Sequence, residues 1–388
     1  MRVPNRGWRD VAGAWLGIGT APTALLLGAG LAARHAGPIP LFSLCAGMLL
    51  IFAMIWFQGH LGLQLPLGDG GNLTQIAPCY FNASMQKLLG ALIALGMTGW
   101  FGLNVGMGGA ALGALIGQPQ WLAALALGIP ILMLSLWGMK SWNALAALTT
   151  ICVLVLIVLI VMHYGAAGMP LAMNAASPMQ TLNDIAALMG FVAVFSVRAP
   201  DFTAGLTSRR DLAMVGVLLC APLTITILAG ASLEQGTGSA DLVNVLAGSN
   251  GLAIGNLLIT LAMIAPTFTT LYSGAPALRA AVGWNESGGM VVMTIIGLAL
   301  ALGRIDQWFL PWLSLLAAML PPVLVLLAVE SVRRRAGHAP RVLSVWVWLI
   351  GALVASALTL TRNPFASLAG VVAAGIATGV WYWKTTGE

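Results

Sequence analysis

The residues with the clearest chemical potential lie in one glycine-rich stretch, GMTGWFGLNVGMGG, at positions 96–109. It contains Trp100 and Asn104, which lie about one turn apart if the stretch is helical. A ring and an amide at this spacing suit a planar heterocyclic ligand, because the ring can stack on the ligand while the amide forms hydrogen bonds. The alternative is that Trp100 packs in the core and Asn104 bonds to a neighbouring helix. In either case an amide in hydrocarbon requires a polar partner.

The composition shows where this stretch lies. The chain has 388 residues, of which 59% are hydrophobic and 7% charged, with a mean hydropathy of +0.94. Soluble domains carry about 25% charged residues, so we predict an integral membrane protein embedded in a lipid bilayer. The net charge of +6 is attributed to membrane orientation rather than to nucleic-acid binding, since the basic residues flank apolar segments. The four cysteines show no CxxC spacing, so neither a disulfide framework nor a metal or other cofactor is predicted.

Apolar segments follow one another along the whole chain and predict twelve membrane-spanning helices. The segments are 11–33, 40–60, 86–116, 120–138, 143–164, 183–200, 212–232, 252–275, 288–303, 308–329, 342–361 and 365–383. With both termini in the cytoplasm, all but three of the 17 lysines and arginines lie on the cytoplasmic side, as the positive-inside rule requires. The longest connection, 61–85, is predicted to contain a short interfacial helix.

Segments 1 and 6 are interrupted in a similar way. Segment 1 carries Gly17, Gly19, Thr20 and Pro22 near its midpoint, and segment 6 carries Ser196, Arg198, Pro200 and Asp201 towards one end. Interrupted helices at corresponding positions of two halves are typical of inverted-repeat transporters, whose unwound backbone binds substrate and ion. The alternative is that these residues only kink packed helices, which membrane proteins tolerate.

Three other segments have features that suggest packing or binding. The glycines of segment 3 recur every three or four residues and predict close contact with neighbouring helices. Segment 8 has a cluster of hydroxyls, Thr267, Thr269, Thr270, Tyr272 and Ser273, which either line a cavity or bond to carbonyls of their own helix. Segment 10 is interrupted by Pro321 and Pro322, as a gating hinge or as a static kink. Glu330 beside Arg333–Arg335 predicts an interfacial ion pair.

Three motifs resemble those of a known transporter family. They are GWFG at 99–102, APDFTAGL at 199–206 and FLPWLSLLAAMLPP at 309–322. Together they resemble the nucleobase:cation symporter-1 family, which includes cytosine permease and hydantoin transporters. The resemblance implies an all-α LeuT-type fold in a single membrane domain. Residues 11–164 and 183–329 would form two inverted repeats of five helices, and 342–383 two additional helices.

The resemblance also implies a substrate site. Trp100 would stack on the substrate and Asn104 would contact it, while the family's second ring falls at Val192, between Phe191 and Phe195. The further substrate-binding residues predicted with them are Gly19, Thr20, Ser196, Thr267, Thr269 and Thr270. Met97 occupies a position that is polar in cytosine-transporting members, which argues against cytosine itself. Arg198 would pair with Asp201 or reach the site and favour an acidic substrate.

The implied cation site departs from the family pattern. Gly17 and Ala21 correspond to the family's helix 1 carbonyl ligands, and Ala262, Ala265 and Pro266 correspond to its helix 8 ligands. Two of these three helix 8 ligands are usually hydroxyls in the family, and none of the three positions carries a hydroxyl here. Either the register differs by a residue or two, or sodium coupling is weakened or lost in favour of H⁺ coupling or none.

These observations predict a secondary active transporter that imports a nucleobase or related planar heterocycle by alternating access. Candidate substrates are cytosine, a purine, hydantoin and hydroxymethylpyrimidine, and Na⁺ or H⁺ is the expected coupling ion. We expect a monomer in a bacterial-type inner membrane, without nucleic-acid partners. One alternative is an intramembrane enzyme such as a lipid-linked transferase, which is disfavoured because paired acids or a nucleophile with its base are not apparent. The others are a channel, or a proton-coupled or uncoupled carrier of another small amphipathic solute.

Overall fold

The computed structural model describes residues 5–138, 142–165, 169–173, 176–248 and 254–386. Its first half contains α1 Trp8–Gly19, α2 Pro22–His35, α3 Leu41–Gly62, α4 Leu73–Tyr80, α5 Ala83–Ile116, α6 Gln120–Leu136, α7 Trp142–Tyr164, α8 Pro178–Val197 and α9 Ala199–Thr203. Its second half contains α10 Arg209–Thr237, α11 Leu242–Gly248, α12 Ile254–Ala262, α13 Ile264–Val282, α14 Glu286–Leu302, α15 Phe309–Met319, α16 Pro321–Arg335, α17 Val345–Leu360 and α18 Ala366–Thr386. Two short strands, β1 Ile39–Pro40 and β2 Leu171–Ala172, pair in parallel.

Each predicted segment coincides with one helix or with two consecutive helices, although residues 252–253 of segment 8 lie outside the described residues. Among the described residues, eight helices or continuous helix pairs are long and apolar enough to cross a membrane, and the bent pair α1–α2 makes a ninth. Helices α6, α14 and α17 are apolar but shorter. The chain is therefore a multi-pass membrane protein, and the count of twelve spans stays a prediction.

Proline explains the predicted breaks in segments 1, 6 and 10. Between α1 and α2, which meet at a bend of 42°, Ala21 is extended (φ −62°, ψ 137°) because it precedes Pro22. Segment 6 breaks at Arg198, between α8 and α9, just before Pro200. Segment 10 is divided at Leu320, immediately before Pro321, although Leu320 keeps helical backbone angles and the two helices continue as one span. The interruptions inferred from glycine and proline are therefore confirmed as breaks in segments 1 and 6, and as a division of one continuous span in segment 10.

The helices form two groups. Helices α1, α2, α3, α8, α9 and α10 pack mainly on one another and are called the bundle. Helices α5, α6, α13 and α14 likewise pack on one another and are called the scaffold. Helices α1 and α8 lie next to α13 and α5, so the breaks of segments 1 and 6 face the scaffold.

The glycine stripe of α5 explains how the scaffold packs so closely. A Cβ atom at Gly102 would lie 2.8 Å from the carbonyl oxygen of Gly297 in α14, and one at Gly109 would lie 2.6 Å from Ala124 in α6. Such distances leave no room for any larger side chain. The predicted role of these glycines in close helix packing is confirmed.

Two buried charged clusters hold the ends of the helices. At one end, Asp184 of α8 accepts hydrogen bonds from Arg34 (3.0 Å) and pairs with His35 (2.7 Å) of α2. At the other, the fully buried Glu330 pairs with Arg333 and Arg334 at 3.0 and 2.7 Å, which confirms the predicted ion pair. Arg334 also donates a hydrogen bond to the carbonyl of Cys79 in α4, the helix predicted within 61–85.

Candidate functional site

A narrow cavity of about 40 Å³ lies between the bundle and the scaffold. Its walls come from both sides of the segment 1 break and from α5, α7, α8, α9 and α13. The residues are Gly13, Ala14, Gly17, Ile18, Ala21, Thr23, Trp100, Asn104, Ala146, Phe191, Phe195, Phe202, Ala265, Pro266 and Thr269. None of them is ionisable, so the cavity offers aromatic and aliphatic surface with a few neutral polar groups.

Trp100 forms an aromatic cluster with three phenylalanines. Its ring centroid lies 5.2 Å from that of Phe191 at 86°, 6.1 Å from that of Phe195 at 50°, and 6.2 Å from that of Phe309 at 76°. These are edge-on and tilted contacts, which aromatic quadrupoles favour over face-to-face stacking. The ring of Trp100 is only 2% exposed, so the cluster holds it rigidly.

Two buried polar atoms in the cavity wall are left without hydrogen bonds. They are the indole nitrogen Nε1 of Trp100, a donor, and the amide oxygen Oδ1 of Asn104, an acceptor. Both side chains are 2% exposed. Leaving a buried polar group unsatisfied costs about 1–3 kcal/mol, and a bound molecule is one way to remove that cost. A ligand with an acceptor and a donor would satisfy both.

Phe191 and Phe195, and not Val192 between them, are the aromatic neighbours of Trp100 in segment 6. Phe191 and Phe195 both touch Trp100 and both line the cavity, whereas Val192 is fully buried and does not. The structure thus brings together the ring and the two phenylalanines named from the sequence. Their contact with a substrate stays a prediction.

Three other predicted substrate residues lie outside the cavity wall. Gly19 packs against α10, where an added Cβ would lie 2.7 Å from the carbonyl oxygen of Leu219. The hydroxyl of Thr20 donates to the carbonyl of Leu16 at 2.8 Å, and that of Ser196 donates to the carbonyl of Ala193 at 2.8 Å. Their direct role in binding stays a prediction.

The threonines of α13 donate to carbonyls of their own helix. Thr267 donates to Met263 at 2.5 Å, Thr269 to Ala265 at 2.8 Å, and Thr270 to Thr267 at 2.6 Å. Among the three, only Thr269 lines the cavity. Its hydroxyl oxygen keeps acceptor capacity for a ligand.

Several solved structures of membrane transporters share the fold of this chain. Mhp1, a nucleobase-cation-symport-1 family transporter, in a closed conformation with bromovinylhydantoin bound, matches with a TM-score of 0.73 and 16% identity, over 99% of this chain and 95% of that one. The chain has the fold of Mhp1. Mhp1 in an inward-facing conformation gives 0.72 at 17% identity, over 99% and 94%.

More distant transporters share the fold. A Na⁺-coupled sialic acid symporter in a substrate-bound outward-open state gives a TM-score of 0.69 at 11% identity, over 98% of this chain and 89% of that one. No protein-family model matches the sequence, and no curated protein is significantly similar to it. The fold inferred from GWFG, APDFTAGL and the Pro-Pro motif is therefore confirmed as that of Mhp1.

The residues predicted from the sequence to form a cation site are a poor set of ligands. Gly17, Ala21 and Ala265 line the cavity, but Ala262 does not. The carbonyls of Ala21, Ala262 and Ala265 already accept hydrogen bonds, the last two from the hydroxyls of Thr149 (2.9 Å) and Thr269. Sodium, like other hard cations, is held by several oxygen ligands, and these four residues provide neither a carboxylate nor a hydroxyl. They therefore fit a sodium ion poorly.

Pro266 explains the unusual contact of Ala262. A proline lacks the N–H that would bond to the carbonyl four residues earlier, so the carbonyl of Ala262 loses its helical donor. Thr149 of α7 supplies the missing hydrogen bond, and the helix breaks next to it, at Met263 between α12 and α13. This break was not predicted from the sequence, although a proline inside an apolar segment was the signal.

Two vestibules lie on either side of the cavity. The inner vestibule, on the side of the chain's N-terminus, has a volume of about 950 Å³ and shares Ala14 and Phe202 with the cavity wall. The outer vestibule, on the opposite side, has a volume of about 670 Å³ and shares none of the cavity residues. Leu26 and Met107 line the outer vestibule, one turn beyond Thr23 and Asn104. The cavity is thus closer to the inner vestibule than to the outer one.

Arg198 lies in the inner vestibule and not in the cavity. Its Nε donates to Oδ2 of Asp201 at 2.6 Å, and a second guanidinium nitrogen lies 2.5 Å from the same oxygen. Of the two roles considered from the sequence, pairing with Asp201 is the one observed. Phe202 and Phe309 are functional candidates that were not predicted from the sequence. Phe202 lies in the motif APDFTAGL and Phe309 in the motif FLPWLSLLAAMLPP.

Proposed function

We propose that this chain is a nucleobase-cation-symport-1 transporter that imports an uncharged planar heterocycle by alternating access. One observation carries the proposal: Trp100 Nε1 and Asn104 Oδ1 are buried, unsatisfied and in the wall of one cavity between broken helices. A catalytic site would need acids or an activated nucleophile, and the cavity wall has no ionisable side chain. Transport is therefore favoured over an intramembrane enzyme.

The cavity chemistry favours a neutral ring with one polar edge. An adjacent carbonyl and N–H, as in hydantoin, hypoxanthine or cytosine, can accept from the Trp100 indole and donate to the Asn104 amide. The rest of the ring would lie against Phe191, Phe195 and Phe202, where apolar surface stabilises it. A charged substrate would lose its hydration without a counter-charge in the cavity wall.

Alternating access requires the cavity to open to each vestibule in turn, by movement of one helix group against the other. Residues 11–164 and 183–329 would act as the two inverted repeats, with 342–383 peripheral. The break at Leu320, before Pro321 and Pro322, is the proposed gating hinge. We place the inner vestibule and both termini in the cytoplasm, and the protein in a bacterial-type inner membrane as a monomer.

Coupling to a cation is proposed by analogy with the similar solved structures, which include a nucleobase-cation-symport-1 family transporter and a Na⁺-coupled symporter. The lack of hydroxyl and carboxylate side chains at Ala262, Ala265 and Pro266 argues against Na⁺ at this position. Coupling to H⁺, or the absence of coupling, is therefore the preferred form of the proposal.

The thermal stability of the purified protein tests this function. We expect at least one of cytosine, hypoxanthine, hydantoin and hydroxymethylpyrimidine to raise the melting temperature, since a ligand at 100 times its Kd stabilises by about 2.7 kcal/mol. Replacing choline with Na⁺ at constant ionic strength should not enlarge the shift. The substrate class is wrong if no compound in the panel shifts the melting temperature. A Na⁺-dependent shift would overturn the proposal on the coupling ion.

A further inference from the structure

Arg198 connects the bundle to the scaffold at the inner vestibule. It lies at the break between α8 and α9, both bundle helices, and its Nη1 donates to the backbone carbonyl of Ser273 in the scaffold helix α13. Its side chain is 12% exposed and that of Asp201 is 14% exposed, so the contact is largely shielded from water. Hydrogen bonds that involve an ionised group are stronger than neutral ones.

The carbonyl of Ser273 lies where α13 is perturbed by a proline. Pro276 has no N–H to donate to Tyr272, four residues earlier, and its ring crowds that turn of the helix. Helices bend at such positions and their carbonyls tilt outward. This gives Arg198 a backbone acceptor on the scaffold, in the wall of the same vestibule.

Asp201 fixes the orientation of the guanidinium. Its Oδ2 accepts from Arg198, while its Oδ1 accepts from the backbone N–H of Leu73 at 2.7 Å, at the first turn of α4. A carboxylate at a helix N-terminus is stabilised by the helix dipole. Asp201 therefore fixes the guanidinium of Arg198 on the bundle side, and the same guanidinium donates to the Ser273 carbonyl of the scaffold.

Phe202 links this contact to the cavity. Arg198 and Phe202 are four residues apart, and both line the inner vestibule. Phe202 also lines the cavity and contacts the Trp15 ring edge-on at 5.6 Å. Any movement of α9 away from α13 therefore moves Phe202, which lies between the cavity and the inner vestibule.

We propose that Arg198 is a latch between bundle and scaffold: its bond to the Ser273 carbonyl keeps Phe202 between the cavity and the inner vestibule. Loss of this bond opens the route from the cavity to the cytoplasm. Arg198 thus acts as a positioning residue for the release step and does not contact the substrate. The inference rests on the proposed alternating-access function, because only a transporter needs the bundle to move against the scaffold.

The test measures access to Ala146, which lines the cavity but neither vestibule and is 4% exposed. In a variant with the four native cysteines replaced by serine, Ala146→Cys is labelled with a membrane-impermeant maleimide in inside-out vesicles, without substrate. Arg198→Gln is expected to raise the labelling rate by at least about tenfold, the change in population that follows from losing one charge-assisted hydrogen bond. The matched control is Arg279→Gln, which breaks an exposed ion pair with Glu286 and should leave the rate unchanged.

Equal labelling rates in folded Arg198→Gln and Arg279→Gln proteins would overturn the latch. If Arg198→Gln does not fold, Arg198→Lys takes its place, because a single ammonium cannot bridge Asp201 and Ser273 as the guanidinium does. Its labelling rate should also rise, and an unchanged rate would overturn the latch. Because no substrate is present, the result does not depend on the heterocycle. If the labelling rate rises but none of the four heterocycles binds, the latch stands and only the proposed substrate class is rejected.

Discussion

Replacing Trp100 with alanine is expected to weaken heterocycle binding by at least about 30-fold while the protein still folds. The substitution removes both an aromatic contact and the unpaired indole N–H. Together these contribute about 2 kcal/mol to binding, and each 1.4 kcal/mol is about tenfold in Kd. Trp100→Phe keeps a ring and loses only the donor, so its affinity should fall between that of the wild type and that of Trp100→Ala.

The control for Trp100→Ala is Trp348→Ala. Trp348 is also buried, but its indole nitrogen is satisfied by the carbonyl of Met319 at 2.9 Å, and it does not line the cavity. This variant should lose stability without losing affinity. Affinity is measured from the ligand concentration dependence of the melting temperature. Unchanged affinity in folded Trp100→Ala would rule out the ring as a binding element.

Replacing Gly28 with valine is expected to prevent folding. Helices α2 and α10 pack backbone to backbone at two glycines. A Cβ at Gly28 would lie 1.9 Å from the carbonyl oxygen of Ile227, and one at Gly230 would lie 2.0 Å from that of Leu25. Overpacking against side chains costs about 1–3 kcal/mol. Backbone cannot rotate away as a side chain does, so the cost here should exceed that range.

The matched control lies two residues further along the same helix. A Cβ at Gly30 would meet only the side chain of Leu310, at 3.4 Å, which is an ordinary contact. Gly30→Ala should therefore yield protein with a nearly unchanged melting temperature. The measurement is the yield of monodisperse detergent-extracted protein. Equal yields from Gly28→Val and Gly30→Ala would contradict the packing of α2 on α10.

Proline and glycine made the breaks in the helices predictable. Pro22, Pro200 and the Pro321–Pro322 pair each lie beside an observed break, because proline's effect on the backbone is local and needs no tertiary partner. The break at Met263 was missed. It depends on Pro266 together with a hydroxyl from α7, more than a hundred residues away, that satisfies the freed carbonyl of Ala262.

The ring and amide of the site were predictable from their spacing on one helix, whereas the directions of hydroxyls were not. Thr267, Thr269 and Thr270 lie in the expected region, yet each donates to its own helix. Sequence alone does not distinguish a threonine that bonds to a carbonyl three or four residues earlier from one that lines a cavity. The contact of Phe202 with the cavity likewise depends on how α9 turns after the break at Arg198.

Buried ion pairs could be predicted only where both partners are neighbours in sequence. The pair of Glu330 with Arg333 and Arg334 lies within one helix and was expected. The pairing of Asp184 with Arg34 and His35 joins residues about 150 positions apart and was not. A single sequence carries no signal for such a pairing until the fold brings α2 and α8 together.

The most direct test of the account is uptake by the purified protein in proteoliposomes. Labelled cytosine, hypoxanthine, hydantoin and hydroxymethylpyrimidine are each offered to vesicles that contain the wild type, Trp100→Ala or no protein. We expect at least one compound to enter wild-type vesicles faster than empty ones, and Trp100→Ala vesicles to match the empty ones. Failure of all four compounds to enter wild-type vesicles, or equal uptake by the wild type and Trp100→Ala, would contradict it.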